Sequence, residues 1–477
     1  MIALSQKGPS HCTQTDDLSP YLNSLVLKAR SINRSVFSSI SYKTSFSDPL
    51  ALLESLNQPN SPHAYFEKST DEFSIACGDY IAREEFHGND RFQHAKKWAD
   101  SLLSTVERAG DAPIAGTGPT LFLNASFEAG QNPSGLPSLQ VFLPGWQVVN
   151  QGGKHFVVLN TEIHPHSDPQ LLQKQLSQRL DAMVGLKFDQ FQQPVANRTT
   201  LGASKENFNY LEGVSQALKE IKSGKVSKIV LARQLTFELT SKLSPFSIVH
   251  ALRDRFPDCH TFSLSAPDQG VWVGASPETL VRLRGNSLKT EALAGSAPRG
   301  PSAGKDAHWG ETLLAREKEV LEHQLVIDSI RRRLSSVGTT HLKQGLPRLL
   351  RLTNLQHVRT PVEGIIPDGL HPFEVLEALH PTPAMGGSPR PPALAKLAEI
   401  EGSPRGWYSG VAGWMDARGR SEFIVPIRCG RILQDSLTLY AGAGIVEGSI
   451  PEQEKDETDW KLQAMLEVIT GSPNLPV

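Results

Sequence analysis

The sequence predicts an α+β fold with largely antiparallel sheets. Short apolar or β-branched runs alternate with amphipathic helical stretches along the chain. LPSLQVFLPGWQVVNQGGKHFVVLN, residues 136–160, reads as a strand followed by a hairpin, so the N-terminal half supplies sheet as well. No internal repeat of solenoid type competes with this reading.

The elements follow in order. MIALSQKGPSHCTQTDDLSP is a polar start, and residues 1–45 are expected to form a mobile extension. QPNSPHAYFE, AGQNPSGLPS and KFDQFQQPVANRTT are rich in Pro, Gly, Asn or Gln and read as loops, the last marking a boundary near residues 188–204. The predicted organisation is therefore an extension (1–45), an N-terminal half of the fold (46–204) and a catalytic region (205–471), with the N-terminal half not an independent module. SKENFNYLEGVSQALKEIKSG then reads as a helix, with Ser204 as candidate N-cap and Gly224 ending it. Strands are predicted at SKIVLARQLTFEL, HTFSLSAP, GVWVGAS, SEFIVPIRCGRI and SLTLYAGAGIV, and helices at about 305–336, 371–379 and 391–400.

The last helix carries the sharpest signal. At about 100° per residue, Glu452, Asp456, Asp459, Gln463 and Glu467 share a polar face, while Thr458, Leu462, Met465, Leu466 and Ile469 form the apolar stripe. Glu454, Glu457 and Lys461 fall beside that stripe. Carboxylates in a first turn complement the helix dipole, and Pro451 is well placed to start the helix. That explains solvated charge but not carboxylates set against the core, which need a cation or hydrogen bonds. Glu454 and Glu457 are therefore candidates to face a metal ion.

Bulk properties bound the function. The 477 residues have room for about three average domains or for one large enzyme domain. With 48 Lys and Arg against 50 Asp and Glu, the chain lacks the electrostatic footprint of a nucleic-acid or membrane-surface binder, and a small-molecule partner is expected. Cys12, Cys77, Cys259 and Cys429 lie far apart without CxxC spacing, so neither a disulfide framework nor a zinc site is indicated and a cytoplasmic location is expected. No run approaches the roughly 18 apolar residues of a membrane span, and no leader-like basic and apolar start is present.

Several residues point to chemistry. Lys228 sits in a β-branched strand beside Val230 and Ala232 on one face: either its stem snorkels to water or it is a desolvated amine able to act as a base. Glu278 follows a strand and a Ser-Pro turn, where it is either an exposed first-turn glutamate or a carboxyl projecting into a cleft. Glu322 borders the apolar side of its helix. Together with Glu454 and Glu457 it makes an oxygen-donor set suited to Mg2+. Arg428 on a strand wants a carboxylate or phosphate, and Lys461 lies one turn after Glu457. LAGSAPRG, AMGGSPR and YAGAGI lack the context of a nucleotide-binding loop. They read as turns or as backbone amides brought close to an anion, the latter favoured for LAGS and GAGI.

Taken as a set, SKIVLAR, GASPETL, LAGSAPRG, EHQLVIDSIRRRL, LQHVRTPVEG, HPTPAMGG, YSGVAGW, VPIRCGRI and GAGIVEGSIPEQEKDET resemble the chorismate-utilising enzymes, and most closely the isochorismate synthases. The resemblance is strong over residues 207–470 and weaker upstream. It implies large, mainly antiparallel sheets with helices packed outside. It implies Lys228 as the base that activates water and Glu278 as the acid at the departing hydroxyl. Glu322, Glu454 and Glu457 would hold Mg2+, which binds the ring carboxylate. Tyr408 and Arg428 would contact the enolpyruvyl carboxylate. Lys461, His357, Thr382, the LAGS residues Ala294, Gly295 and Ser296, and the GAGI residues Gly442, Ala443 and Gly444 would complete the pocket. A monomer without a glutamine amidotransferase subunit is expected.

Within the family, aminodeoxychorismate synthases commonly carry lysine where this chain has Ala294, and anthranilate synthases commonly carry glutamine at the position of Lys228. Both departures point to water as nucleophile. LAGSAPRG and the long N-terminal half look more like the menaquinone- or phylloquinone-type enzymes. Salicylate synthase, which forms isochorismate and then eliminates pyruvate, is the alternative reading, and anthranilate synthase component I a more distant one. A catalytically silent subunit would have lost Lys228 or Glu278, and a magnesium phosphohydrolase or kinase would need a phosphate cradle that the glycine motifs do not supply.

Overall fold

A computed structural model describes residues 16–45, 48–132, 135–186 and 201–471. The described chain folds into two large sheets with helices packed on their outer sides. The first has 13 strands, in the order Leu201–Glu206, Lys228–Leu239, Ser436–Val446, Cys429–Leu433, Val271–Ser276, His260–Ser265, His63–Lys68, Phe73–Gly78, Trp146–Gln151, Lys154–Ile163, Val36–Thr44 and Val106–Ala109, with the two-residue strand Gly387–Ser388 on the side. The second has 10 strands and contains Leu355–Ile365, Ser287–Pro298, Thr279–Arg284, Ser421–Ile424 and Val411–Asp416 as successive neighbours. Pairing is antiparallel except between Val36–Thr44 and Val106–Ala109.

Alternation of side chains distributes the core. Phe66, Phe262 and Val149 of the first sheet and Leu123, Val141 and Phe423 of the second belong to one apolar cluster between the sheets. Leu159, Val273, Leu437 and Leu439 face the other way, onto helices Ser19–Ile32, Pro245–Arg255 and Pro451–Thr470. Helices Tyr210–Lys222 and Arg390–Glu401 cover Ile229, Leu231 and Ile445 in a third cluster. No helix of the described residues is long and apolar enough to cross a membrane.

The predicted strands at 227–239, 260–267, 270–276 and 436–446 form, as do the helices at 371–379 and 391–400. Five expectations change. SKE in the supposed helix start at 204–224 belongs to strand Leu201–Glu206, which pairs with Lys228–Leu239; the helix starts at Tyr210, where the Asn209 side chain accepts the Glu212 N–H. Helix 305–336 is two helices, Ala303–Ala315 and Glu317–Ser336, parted by extended backbone at Arg316. SEFIVPIRCGRI is two strands in different sheets, Ser421–Ile424 and Cys429–Leu433. HAYFE of the supposed loop starts strand His63–Lys68.

Finally, residues 1–45 are not all an extension. Helix Ser19–Ile32 buries Tyr21, Leu22, Leu25, Val26 and Ala29, and strand Val36–Thr44 pairs along nine positions with Lys154–Ile163. Their apolar periodicity places them in the core, while residues 1–15 lie outside the described residues, as does most of the boundary predicted at 188–204.

Candidate active site

Two of the chain's crossings between the sheets each carry a predicted site residue. Pro277 and Glu278 lie between Val271–Ser276 of the first sheet and Thr279–Arg284 of the second; residues 425–428 connect Ser421–Ile424 to Cys429–Leu433. The crossings are tied together. The Val425 N–H donates to the Glu278 carbonyl at 3.2 Å, the Ala275 N–H to the Arg428 carbonyl at 3.1 Å, and Ser276 Oγ to the Val425 carbonyl at 2.6 Å. Arg428 takes a left-handed backbone conformation, φ 49°, the uncommon geometry that aims its buried side chain into the cleft.

One pocket between the sheets is lined by Glu278, Ala294, Gly295, Ser296, Glu322, His357, Tyr408, Arg428, Gly442, Gly444, Glu457 and Lys461, twelve of the sixteen predicted site residues. Lys228 reaches it indirectly. Its fully buried Nζ donates to Glu322 Oε1 at 2.8 Å, and its charge acts on Glu278. Three predicted residues stand off the pocket wall. Ala443 pairs with Leu231, one position out of phase with Gly442 and Gly444, so its side chain points to the opposite face of the strand. Thr382 is buried with its Oγ1 unpartnered, and Glu454 opens onto a neighbouring cavity of about 300 Å3 that shares Ser296 and Glu457 with the pocket.

The electrostatics divide the pocket into two walls. On the first, Glu278 is 2% exposed and its Oε2 has no hydrogen-bond partner. Burial and then the Glu291 charge push its carboxyl up to about 8, against the opposing pull of Lys228 and Lys461, so it holds a proton at neutral pH. Beside it, Arg428 Nη2 donates to His357 Nε2 at 2.8 Å, which leaves Nδ1–H facing the Gly295 carbonyl at 3.1 Å. Burial and the Arg428 charge drive the imidazole well below its ordinary value, so this histidine is neutral. Tyr408 stacks on Tyr440 at 5.2 Å between ring centroids.

The second wall is a bank of carboxylates answered by lysines: Glu322 by Lys228, Glu454 by Lys318 at 2.6 Å and Glu457 by Lys461 at 2.5 Å. The helical-wheel reading of Pro451–Thr470 holds, with Glu454 2% exposed and Glu452 and Asp456 exposed. Two glycines make room for the bank. A Cβ on Gly444 would stand 2.4 Å from Glu322 Oε1, and one on Gly295, at φ +78° in a bulge, 2.9 Å from Glu319 Oε2.

Among the described residues no three acidic, histidine or cysteine side chains form a ready metal cage. The donor chemistry nevertheless suits a hard divalent cation. Burial and the Glu322 charge raise Glu319 to about 7, and burial and the Glu457 charge raise Glu454. Four carboxylates that repel one another this way are what such an ion would relieve.

Sequence reasoning missed several participants. Glu319 stands one turn before Glu322 in EKEVLEH, a spacing that could have revealed it. Arg405, three residues before Tyr408, is buried and bonds the Val230 carbonyl, the Met385 carbonyl and Ser409 Oγ around the pocket, held by Glu401 at 2.8 Å. Glu291 accepts from the Thr279 N–H at 2.9 Å behind Glu278, a contact made only by the fold.

The family described as chorismate binding enzyme matches residues 24–470. The chain is 30% identical over 457 residues to the salicylate biosynthesis isochorismate synthase of Pseudomonas aeruginosa, covering 93% of this chain and 92% of that protein. It is 28% identical to isochorismate synthase MenF of Bacillus subtilis, covering 93% and 96%. The solved structure of MenF, the menaquinone-specific isochorismate synthase of Escherichia coli, superposes with a TM-score of 0.76 at 25% identity, covering 94% of this chain and 99% of that one.

Proposed function

The chain belongs to the chorismate-binding enzyme family, and from that premise we propose that it converts chorismate to isochorismate, in the manner of the menaquinone-type enzymes. The observation that carries this reading is Glu278, a buried, partnerless carboxyl pushed up to about 8 in a pocket that also holds Arg428 and Tyr408 and adjoins a buried lysine.

The reaction adds water at C2 of the ring and removes the hydroxyl from C4, so it needs a base on one side and an acid on the other. Lys228 Nζ, once the ammonium paired with Glu322 has given up a proton to become the neutral amine, takes a proton from the attacking water. Glu278 gives its proton to the departing hydroxyl, which leaves as water. The two groups then exchange their proton with solvent, and the ring is isomerised without net change in composition. Arg428 and Tyr408 hold the enolpyruvyl carboxylate, the guanidinium offering a fork that His357 orients. Lys461 and the amides around Gly295 and Gly444 line the remaining surface. Glu322, Glu454, Glu457 and Glu319 would hold Mg2+, which when bound supplies charge neutralisation for the ring carboxylate that this acidic wall otherwise repels.

Incubating the chain with chorismate and Mg2+ and separating products by chromatography is expected to give isochorismate, with turnover lost on chelation and restored by Mg2+. Salicylate and pyruvate rising in parallel would instead establish the salicylate synthase reading, and anthranilate formed from ammonia would refute water as nucleophile.

A further inference from the structure

A larger cavity, of about 600 Å3, lies away from the carboxylate bank, among helices Arg91–Thr105, Pro372–Leu379 and Arg390–Glu401. That volume is in the range of small-molecule sites. Its walls are largely apolar, with Phe92, Phe127 and Leu397 among them, and His380 stands edge-on to both phenylalanine rings, at 6.4 and 6.3 Å. Two arginines line it as well.

Arg91 is 4% exposed and, among the described residues, donates one hydrogen bond, from Nη2 to the Ser126 carbonyl, while its Nε is buried without a partner there. Arg390 spends Nη2 on the Ala378 and Leu379 carbonyls and likewise leaves Nε buried and unpartnered. Among the described residues neither is ion-paired. The carboxylates around them are engaged elsewhere: Glu128 accepts the Arg405 and Gly406 N–H groups, Glu401 binds Arg405, and Glu377 accepts from Gln93. Burial holds Arg91 down to about 10 against the pull of the Glu128 charge, which lines the same cavity but makes no ion pair with it among the described residues; a buried guanidinium short of a directly bonded anion is costly.

We infer that this cavity is a second ligand site, separate from the catalytic pocket, for a small aromatic carboxylate whose ring lies among Phe92, Phe127 and His380 and whose anionic group is taken by Arg91 and Arg390. The site has a route to the chemistry. Glu401 lines the cavity, accepts the Ala232 N–H on the Lys228 strand at 2.9 Å and holds Arg405, which lines the catalytic pocket. A ligand pressing on Glu401 shifts Arg405 and with it Val230, Met385 and Ser409, so occupancy lowers turnover. This second consequence rests on the proposed reaction; binding does not.

Isothermal titration calorimetry of the full chain with 2-naphthoate, a two-ring carboxylate matched to the volume, tests the site. One saturable site is expected, undisturbed by saturating chorismate, and about tenfold weaker for the neutral 2-naphthalenemethanol. Arg91→Ala and Arg390→Ala should each weaken it several-fold. Ala398→Trp, which fills the cavity from an exposed position on its wall, should abolish it without loss of fold by circular dichroism. Absence of binding, displacement by chorismate, equal affinity for the alcohol, or binding that survives Ala398→Trp would overturn the site. If the site binds and kcat does not fall in the parent chain, the coupling through Glu401 and Arg405 is refuted while the site stands. If chorismate is not turned over at all, the proposed reaction fails and calorimetry alone still decides the site.

Discussion

The two walls of the pocket use the same side chain in opposite ways. At the sheet crossing, Glu278 is left without a cation in ion-pair contact, and isolation keeps its proton on. Across the pocket, Glu322, Glu454 and Glu457 each have a lysine within hydrogen-bonding distance, and it is this bank that we propose would hold a cation. What decides the role of a glutamate here is the company the fold gives it, and burial is common to both walls.

Substitutions on the two walls should therefore agree in activity and differ in stability. The largest expected effect is on turnover: Glu278→Gln and Lys228→Ala should each lower kcat for chorismate by roughly 10²- to 10⁴-fold, the span of general acid or base catalysis. Chorismate consumption that survives Lys228→Ala would refute its role as base.

Stability separates the two. Lys228→Ala leaves Glu322 largely buried and unpartnered and should cost on the order of 3 kcal/mol. Glu278→Gln removes a carboxyl that is raised from 4.5 to about 8. Such a group binds its proton more tightly folded than unfolded, so its contribution is fully present below pH 4.5, is lost as pH rises toward 8, and is flat above that. The glutamine variant should be more thermostable than the parent chain at pH 8 by a few kcal/mol and should lose that advantage at pH 4.5. Equal melting curves at the two pH values would break the comparison.

The same group predicts that kcat falls as pH rises through about 8, because the acid must carry its proton. A pH–rate profile flat to pH 9 would count against it. A smaller effect is expected from Gly444→Ala. Its Cβ forces Glu322 Oε1 to move, which disturbs the Lys228 pair and should reduce turnover about tenfold while leaving the sheet intact. Unchanged kinetics would mean that the bank tolerates more room than the geometry allows.

The sequence showed the strands that carry the site and the facing of the last helix because both depend on local periodicity. It showed the departures at Lys228 and Ala294 because they sit in ordered motifs. It did not show what depends on distant partners. VPIR reads as continuous strand, yet the chain changes sheet there, at a left-handed Arg428 that no apolar pattern announces. SKE reads as a helix start beside a good helix former, until Leu235–Phe237 pairs with it and Asn209 takes the cap. Lys318 and Glu291 became relevant only when the fold put them behind predicted residues.

The order of strands in the first sheet bears on biogenesis. Ser436–Val446 lies between Lys228–Leu239 and Cys429–Leu433, so the strand bearing Lys228 gains its inner neighbour only from a segment synthesised roughly 200 residues later. Until then a long apolar strand edge stands open on the nascent chain, a surface that invites chaperone capture or aggregation and makes the candidate site one of the last parts of the molecule to be assembled.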